Sequence, residues 1–181
     1  MNTKSLLVLF RHLTIKAIEK GEIIIREGET KRSVFYIRSG LVRAYRITEE
    51  GDEITFQLFP EYHVFGNLHS ILFNEPSSFT FQTLERTKVY TMDYDTFHDV
   101  VKHSKFLDLN KMGLGSRGMK QAFQRLESFV FLSPEERYLK YMKDYPTVIN
   151  RAPDKYIANV LGITPVSLSR IKVRITVKKL P

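Results

Sequence analysis

The sequence has 181 residues and a mass of 21.2 kDa, enough for one ordinary domain or for two small domains that share an element. A hydrophobic fraction of 43% with 12% aromatic residues supports a packed core and excludes a disordered chain. The absence of cysteine excludes disulfides, thiolate metal sites, iron–sulfur clusters and thiol nucleophiles. No apolar run approaches the roughly 20 residues that span a bilayer, and residues 6–10 lack the features of a signal peptide. We therefore expect a cytoplasmic protein that does not contact a membrane.

The net charge of +8 is concentrated at one end of the chain. Residues 132–181 carry ten Lys and Arg against four Asp and Glu, whereas residues 1–131 carry 18 against 16. A basic terminal module on a nearly balanced body favours a polyanionic partner, and nucleic acid before a membrane. The alternative is a solvated basic face without a partner.

Residues 21–92 contain short β-type runs separated by turn residues. The clearest runs are residues 22–25, 34–37, 41–47, 54–58 and 88–92. Strands that start about ten residues apart, with turn signals between them, are typical of a sandwich or barrel. The chain as a whole is predicted to be α+β, with a jelly-roll-like antiparallel β barrel over residues 1–103.

A long helix is predicted over residues 104–131, and it would connect the two ends of the molecule. Its apolar residues, with one serine among them, follow a seven-residue repeat that consists of Leu109, Met112, Ser116, Met119, Phe123, Leu126 and Val130. This stripe predicts a dimer seam, although it could instead pack on the chain's own β domain. Gly113, Gly115 and Gly118 weaken the helix and leave open a close helix contact, a kink or an irregular stretch.

The basic module over residues 132–181 begins with a strong helix start. Ser133 is predicted as the N-cap, Pro134 as the first helical residue and Glu136 as the partner in a capping box. The helix would run to about Asp144, because Pro146 follows. The cap places a joint between the long helix and the basic module, where a hinge would have to lie.

Residues 154–171 have the pattern of a helix-turn-helix. The first helix would bury Ile157, Val160 and Leu161, and Gly162 would take the positive φ that ends it. A new helix would restart at Thr164 as its N-cap.

The second helix has an apolar side that would be buried and an exposed side that carries Ser and Arg. Such an exposed side suits the major groove of double-stranded DNA. The residues predicted to bind DNA are Thr164, Pro165, Ser167, Ser169, Arg170, Lys172 and Arg174. Arg170 is expected to bond a base edge, while Lys172 adds charge toward the phosphate backbone.

In this order of segments the chain resembles the Crp/Fnr family of bacterial transcription regulators. Residues 35–43 look like opening strands of its cyclic-nucleotide-binding β roll, and residues 64–68 look like its phosphate-binding cassette. Residues 104–131 are similar to its dimerisation helix, residues 156–171 to its DNA-reading module, and residues 132–139 to a short-chain branch. The resemblance implies a homodimeric DNA-binding transcription regulator with a winged helix-turn-helix, which is not an enzyme and which contacts RNA polymerase if it is an activator.

The cassette departs from the pattern of the family's cyclic-AMP binders. Asn67 stands where those proteins carry a ribose-binding glutamate, and residues 76–80 lack the arginine that neutralises the cyclic phosphate. The resemblance places an effector pocket at Phe65, Gly66, Asn67, Leu68, Ser77, Ser78 and Thr80. We expect no certain cofactor: a cyclic nucleotide is disfavoured, and the pocket takes another small molecule or none.

Two other classes of protein are the alternatives to this interpretation. A cupin-type metal enzyme needs two histidines separated by one residue, whereas His63 and His69 are six apart, so neither a metal site nor a catalytic residue is predicted. A small-molecule-sensing β-roll module without a DNA role is the second alternative. The basic C-terminal module argues against it.

Overall fold

The computed structural model describes residues 12–102 and 114–178 of the chain. Residues 14–93 form two four-stranded antiparallel sheets, which confirms the predicted β roll. The strands are β1 (Thr14–Ile18), β2 (Ile23–Ile25), β3 (Ser33–Ser39), β4 (Val42–Ile47), β5 (Glu53–Phe59), β6 (Val64–Gly66), β7 (Thr80–Thr83) and β8 (Thr87–Asp93). The strand order is β1-β8-β3-β6 in one sheet and β2-β7-β4-β5 in the other.

Aromatic rings join the two sheets across the interior of the roll. Phe65 of β6 stacks on Phe35 of β3 at 5.0 Å between ring centroids and on Phe81 of β7 at 5.4 Å. Along β3 the side chains alternate, so that Phe35 and Ile37 are buried between residues that are less so. This period-two pattern is the signal from which the strand was predicted.

One short described helix lies between strands of the roll, and the other described helices follow the roll along the chain. The described helices are α1 (Leu68–Leu72), α2 (Tyr94–Lys102), α3 (Leu114–Phe131), α4 (Pro134–Asp144), α5 (Pro146–Ile149), α6 (Asp154–Leu161) and α7 (Pro165–Lys178), of which α1 alone interrupts the strands. The predicted long helix is present from Leu114 to Phe131, and Gly115 and Gly118 lie within it. Residues 103–113, which include Leu109, Met112 and Gly113, lie outside the described residues.

Helix starts are where local sequence and structure agree best. Ser133 caps α4, its hydroxyl accepts from the backbone N–H of Glu136, and the Glu136 carboxylate accepts from the backbone N–H of Ser133 at 2.8 Å. The predicted capping box and the end of α4 at Asp144 are therefore confirmed. A β wing was also expected, but residues 132–178 contain no strand, so the described part of this module is a plain helix-turn-helix.

The helical module shares its core with the roll. Leu41 and Leu58 of the roll are fully buried in one cluster with Tyr138, Val148 and Ile157 of the module. Helix α6 packs directly on strand β5. The position of α7 relative to the roll is therefore set by the hydrophobic contact between the roll and the helical module, as well as by the connection through α3.

Candidate nucleic-acid interface

The α6–turn–α7 corner has the predicted geometry. Gly162 ends α6 with φ 66° and ψ 37°, a left-handed conformation that glycine adopts without strain. The next backbone N–H, from Ile163, donates to the carbonyl of Ala158 at 3.0 Å and closes the turn. Ile157 and Leu168 are fully buried across the corner, so the apolar sides of both helices face each other.

The start of α7 is held by Thr164. Its Oγ1 accepts from the backbone N–H of Ser167 at 3.1 Å and lies 2.9 Å from the Ser167 hydroxyl. Ser167 is consequently half-buried and turned toward its own cap. Pro165 has no backbone N–H and the N–H of Leu168 donates to the Thr164 carbonyl at 3.0 Å, so the N–H of Val166 is the one that this first turn leaves for an anion.

The exposed face of α7 carries the other predicted residues. Pro165, Ser169 and Arg170 are exposed, and Arg170 makes no ion pair within residues 12–102 and 114–178. Arg174 Nε lies 2.8 Å from the Glu135 carboxylate, and Lys172 pairs with Asp154. These two cations are partly neutralised at the edges of the helix, which leaves Arg170 as the prominent charge on the outward face.

The charge around α7 is strongly positive. Asp154 is the last acidic residue of the sequence, and six cations follow it, namely Lys155, Arg170, Lys172, Arg174, Lys178 and Lys179. A cationic surface of this kind raises the local concentration of a polyanion and steers its approach.

Two of the predicted effector residues, Asn67 and Ser77, meet in a polar cluster around the Glu29 carbonyl. Asn67 is 1% exposed and caps α1: its Oδ1 accepts from the backbone N–H of Ser70 at 3.2 Å, and its Nδ2 donates to the Glu29 carbonyl at 2.8 Å. The backbone N–H of Ser77 donates to that same carbonyl at 2.8 Å. The carbonyl oxygen of Glu29 therefore accepts hydrogen bonds from both the cassette and the segment around Ser77.

The other effector candidates lie around this joint, with different surroundings. Phe65 belongs to the aromatic core, Leu68 is 60% exposed, and Gly66 passes so close to Ser33 that an added Cβ would lie 2.6 Å from its carbonyl oxygen. Ser78 Oγ lies 3.3 Å from the His69 ring, and Thr80 Oγ1 accepts from the backbone N–H of Glu27 at 3.1 Å.

This cluster does not fit a cyclic nucleotide. Both polar atoms of the Asn67 side chain are hydrogen-bonded within the fold and the residue is 1% exposed, so a ribose hydroxyl would have to displace these bonds to reach it. Residues 64–80 contain no Lys or Arg, and a cyclic phosphate in a partly buried pocket needs a cation or several aimed N–H donors. One cleft is lined by residues between 16 and 35, and a second by residues between 46 and 56 together with Phe79, Arg125 and Asn159. Neither cleft is lined by any of the predicted effector residues.

The predicted seam of α3 is exposed along its described length. The exposed fractions of Met119, Phe123, Leu126 and Val130 are 63%, 59%, 62% and 73%. Leu109 and Met112 lie outside the described residues, and Ser116 lies in the first turn of α3. An apolar stripe of this size on a single chain is typical of an interface.

The opposite face of α3 is fixed to both halves of the chain by Arg125. Its guanidinium donates to the Phe56 carbonyl at 2.6 Å and to Gln57 Oε1 at 2.9 Å in the roll, and to the Val160 carbonyl of α6 at 3.2 Å. Desolvation lowers the pKa of Arg125 from its ordinary value. The exposed stripe therefore does not pack on the chain's own roll, which was the alternative considered from the sequence.

Sequence reasoning missed the contacts that join the roll to the module. Arg151 binds Glu61 and Glu85, and the Asn159 side chain accepts from the backbone N–H of Thr55 at 3.1 Å. These partners are 66 to 104 residues apart in sequence, so no local pattern signals them.

Within residues 12–102 and 114–178, no three His, Asp or Glu side chains come together in a way that would hold a metal ion. None of the helices described there combines the length and apolar character needed to cross a membrane.

Comparison with known proteins gives concordant matches. The cyclic nucleotide-binding domain family matches residues 15–104. The fumarate and nitrate reduction regulatory protein of Vibrio cholerae is 28% identical over 170 residues, with 86% of this chain and 66% of that protein covered. The chain thus spans about two thirds of the length of the curated relatives it matches.

Solved structures agree on the fold. The structure of FixK2 from Bradyrhizobium japonicum has a TM-score of 0.76 at 14% identity and covers 92% of this chain and 85% of its own. A transcriptional regulator of the Crp/Fnr family from Eubacterium rectale has a TM-score of 0.71 at 18% identity and covers 99% of this chain and 86% of its own.

The chain thus combines a β roll, a long helix and a basic helix-turn-helix, a motif that in DNA-binding proteins places its second helix in the major groove. The chain is therefore similar to the Crp/Fnr regulators in sequence and fold, and its residues 15–104 match the cyclic nucleotide-binding domain family.

Proposed function

We propose that the protein is a sequence-specific, DNA-binding transcription regulator that acts as a homodimer. The observation that carries this proposal is the outward face of α7. Arg170 is exposed there without an ion-pair partner in the described residues, on a helix that contains no acidic residue. The names of the curated relatives, which are regulatory proteins, add independent support.

The contacts expected with double-stranded DNA differ along α7. Ser169 and Arg170 reach base edges in the major groove, where an arginine bonds a guanine bidentately. Lys172 and Arg174 contact the phosphate backbone by exchanging their present acidic partners, and their contribution is independent of sequence. Thr164, Pro165 and Ser167 bring the N-terminal end of the helix against a phosphate.

A homodimer follows from the exposed stripe of α3. Within residues 12–102 and 114–178 the side chains of Phe123, Leu126 and Val130 are largely exposed, and pairing of two copies of α3 would bury them. Two copies of α7 then read two half-sites about 34 Å apart, one turn of the double helix. The preferred DNA site is accordingly an inverted repeat.

The β roll acts as the sensor half, and its ligand differs from cyclic AMP. The internal hydrogen bonds of the buried Asn67 side chain and the lack of a cation in residues 64–80 support another small molecule or a roll without an effector. If the protein is an activator, RNA polymerase is its further partner. The regulator acts in the cytoplasm, where its DNA lies.

The test is selection from a randomised duplex pool with the purified full chain. The wild type is expected to enrich an inverted repeat, and Arg170→Ala is expected to lose that enrichment. Arg174→Ala is the matched control, because it removes from the same helix an arginine that is already paired with Glu135. It should weaken binding and still enrich the same sequence. Failure of the wild type to enrich any sequence, or an unchanged enrichment with Arg170→Ala, would overturn the proposal.

A further inference from the structure

A line of three exposed valines runs along the outward face of α7. Val166, Val173 and Val177 have exposed fractions of 61%, 62% and 62%. They are seven and four residues apart, which places them on one side of a helix. Arg170 lies four residues after Val166 and three before Val173, so it belongs to the same side.

The valine line is not explained by the folding of the chain. The inner side of α7 is filled by other residues, since Leu168 and Ile171 are buried and Ile175 packs partly against the core. Valine is a weaker helix former than alanine because its branched side chain loses rotamer freedom in a helix. Residues that break a local rule on an exposed surface without a packing role are typical of functional sites.

The chemistry around the valines identifies what can cover them. Six Lys and Arg follow Asp154 and no acidic residue does, so the occupant is a polyanion. On the major-groove edge of DNA, the apolar group is the C5-methyl of thymine, and small apolar side chains contact it. The major groove of DNA presents thymine methyl groups beside hydrogen-bonding base edges. Valines on either side of Arg170 match that arrangement, because the valines can contact the methyl groups and Arg170 can bond a base edge.

We propose that Val166 and Val173 read thymine methyl groups on either side of a guanine that Arg170 binds. This inference rests on the proposed DNA-reading function and specifies its target: a half-site in which thymine lies next to guanine. Val177 takes no part, because the N-terminal turns of a recognition helix contact the bases, and Val177 lies about 6 Å further along the axis than Val173.

The experiment uses the full chain and the duplex that it selects. Each thymine of one half-site is replaced singly by deoxyuridine, which removes the methyl group and keeps the base pairing. Loss of one contacted methyl is expected to weaken binding by about three- to five-fold at one or two positions beside the guanine. Thymines elsewhere in the site should show no change.

Valine variants assign the methyl groups to side chains. Val173→Ala should weaken binding to the thymine duplex and abolish the deoxyuridine effect at one position, and Val166→Ala should do the same at the other. Val177→Ala, at the same exposure on the same line, should leave both affinities unchanged. All three are exposed substitutions that raise helix propensity, so the folded state is expected to be retained.

The outcomes separate this inference from the proposed function. Selected binding without any deoxyuridine effect overturns the reading of methyl groups and leaves DNA reading in place. No enrichment of any sequence overturns the proposed function itself. An equal loss of affinity with Val177→Ala and Val173→Ala also contradicts the inference, because it makes the whole line a continuous docking surface for another macromolecule.

Discussion

Arg151 of the helical module and Glu61 of the β roll form a bidentate ion pair. Arg151 Nη1 donates to Glu61 Oε2 and Nη2 donates to Glu61 Oε1, both at 2.9 Å. Glu61 also accepts from the backbone N–H of Gly40 at 3.0 Å, and Arg151 has a second carboxylate partner in Glu85. The loop before α6 is therefore tied to the roll by one guanidinium between two carboxylates.

Arg151→Ala is expected to lower the free energy of unfolding by about 1–2 kcal/mol at neutral pH, because two partly buried carboxylates lose their cation. The Arg151 side chain holds the pKa of Glu61 down at about 2, against an ordinary value of 4.5. A depressed carboxyl pKa means that the stabilisation is complete above about pH 4.5 and disappears as the pH falls toward 2. Urea unfolding of the wild type and the variant across pH 2–7 measures the difference. A gap that stays constant over that range would contradict the assignment.

Leu126→Asp is expected to convert a dimer into a monomer. Leu126 is 62% exposed on the apolar stripe of α3, and a dimer would have to bury two unpaired carboxylates in its place. The dissociation constant should rise by at least about 100-fold, as measured by analytical ultracentrifugation. Gln121→Asp, which adds a carboxylate on the other side of α3, is the control and should leave the dimer unchanged. A monomeric wild type would contradict the homodimer.

Gly162→Ala is expected to destabilise the module by about 2 kcal/mol, because alanine is strained at the left-handed φ of 66°. An added Cβ would also lie 2.7 Å from the ring of Phe129. Gly118→Ala is the matched control: that glycine lies inside helix α3 with open space around it, so alanine should stabilise by about 1 kcal/mol. Thermal unfolding of both variants measures the contrast, and a similar shift for both would refute this account of the corner.

Asn67→Ala is expected to lower the free energy of unfolding by about 1–3 kcal/mol, because α1 loses its cap and the Glu29 carbonyl loses a donor. Asn67→Asp keeps the capping oxygen but directs a buried carboxylate oxygen at the Glu29 carbonyl, so its loss should be at least as large. Neither Asn67→Glu nor the wild type should gain thermal stability from cyclic AMP. A clear rise of the melting temperature with cyclic AMP would show that the reading of the cassette is mistaken.

Much of the local structure was predictable because its causes are local. The capping box of Ser133 and Glu136 spans four residues, and the glycine turn at Gly162 lies between two short apolar patterns. In both places the sequence contains every group that makes the hydrogen bonds. Secondary structure and the order of the two halves could be inferred from such signals.

The surroundings of the site residues could not be inferred, since they depend on tertiary partners. The spacing of Ser167, Arg170 and Arg174 predicts that all three lie on one exposed side of α7. In the structure Ser167 turns toward its cap, and Arg174 pairs with Glu135, which is 39 residues earlier in the chain. From the sequence, Asn67 is noticeable only because it replaces the ribose-binding glutamate of the cyclic-AMP binders. Its structural role as a cap and as a donor to Glu29 needs a partner 38 residues away.

The central claim is that α7 reads DNA sequence through Arg170. The most direct measurement is the ratio of affinities for the selected duplex and for a scrambled duplex of equal length, at one fixed salt concentration. The wild type is predicted to prefer the selected duplex by roughly 1,000-fold or more. Arg170→Ala should lose about 10- to 100-fold of that preference while its affinity for the scrambled duplex changes little. A wild-type ratio near one, or a ratio that Arg170→Ala leaves unchanged, would contradict the account.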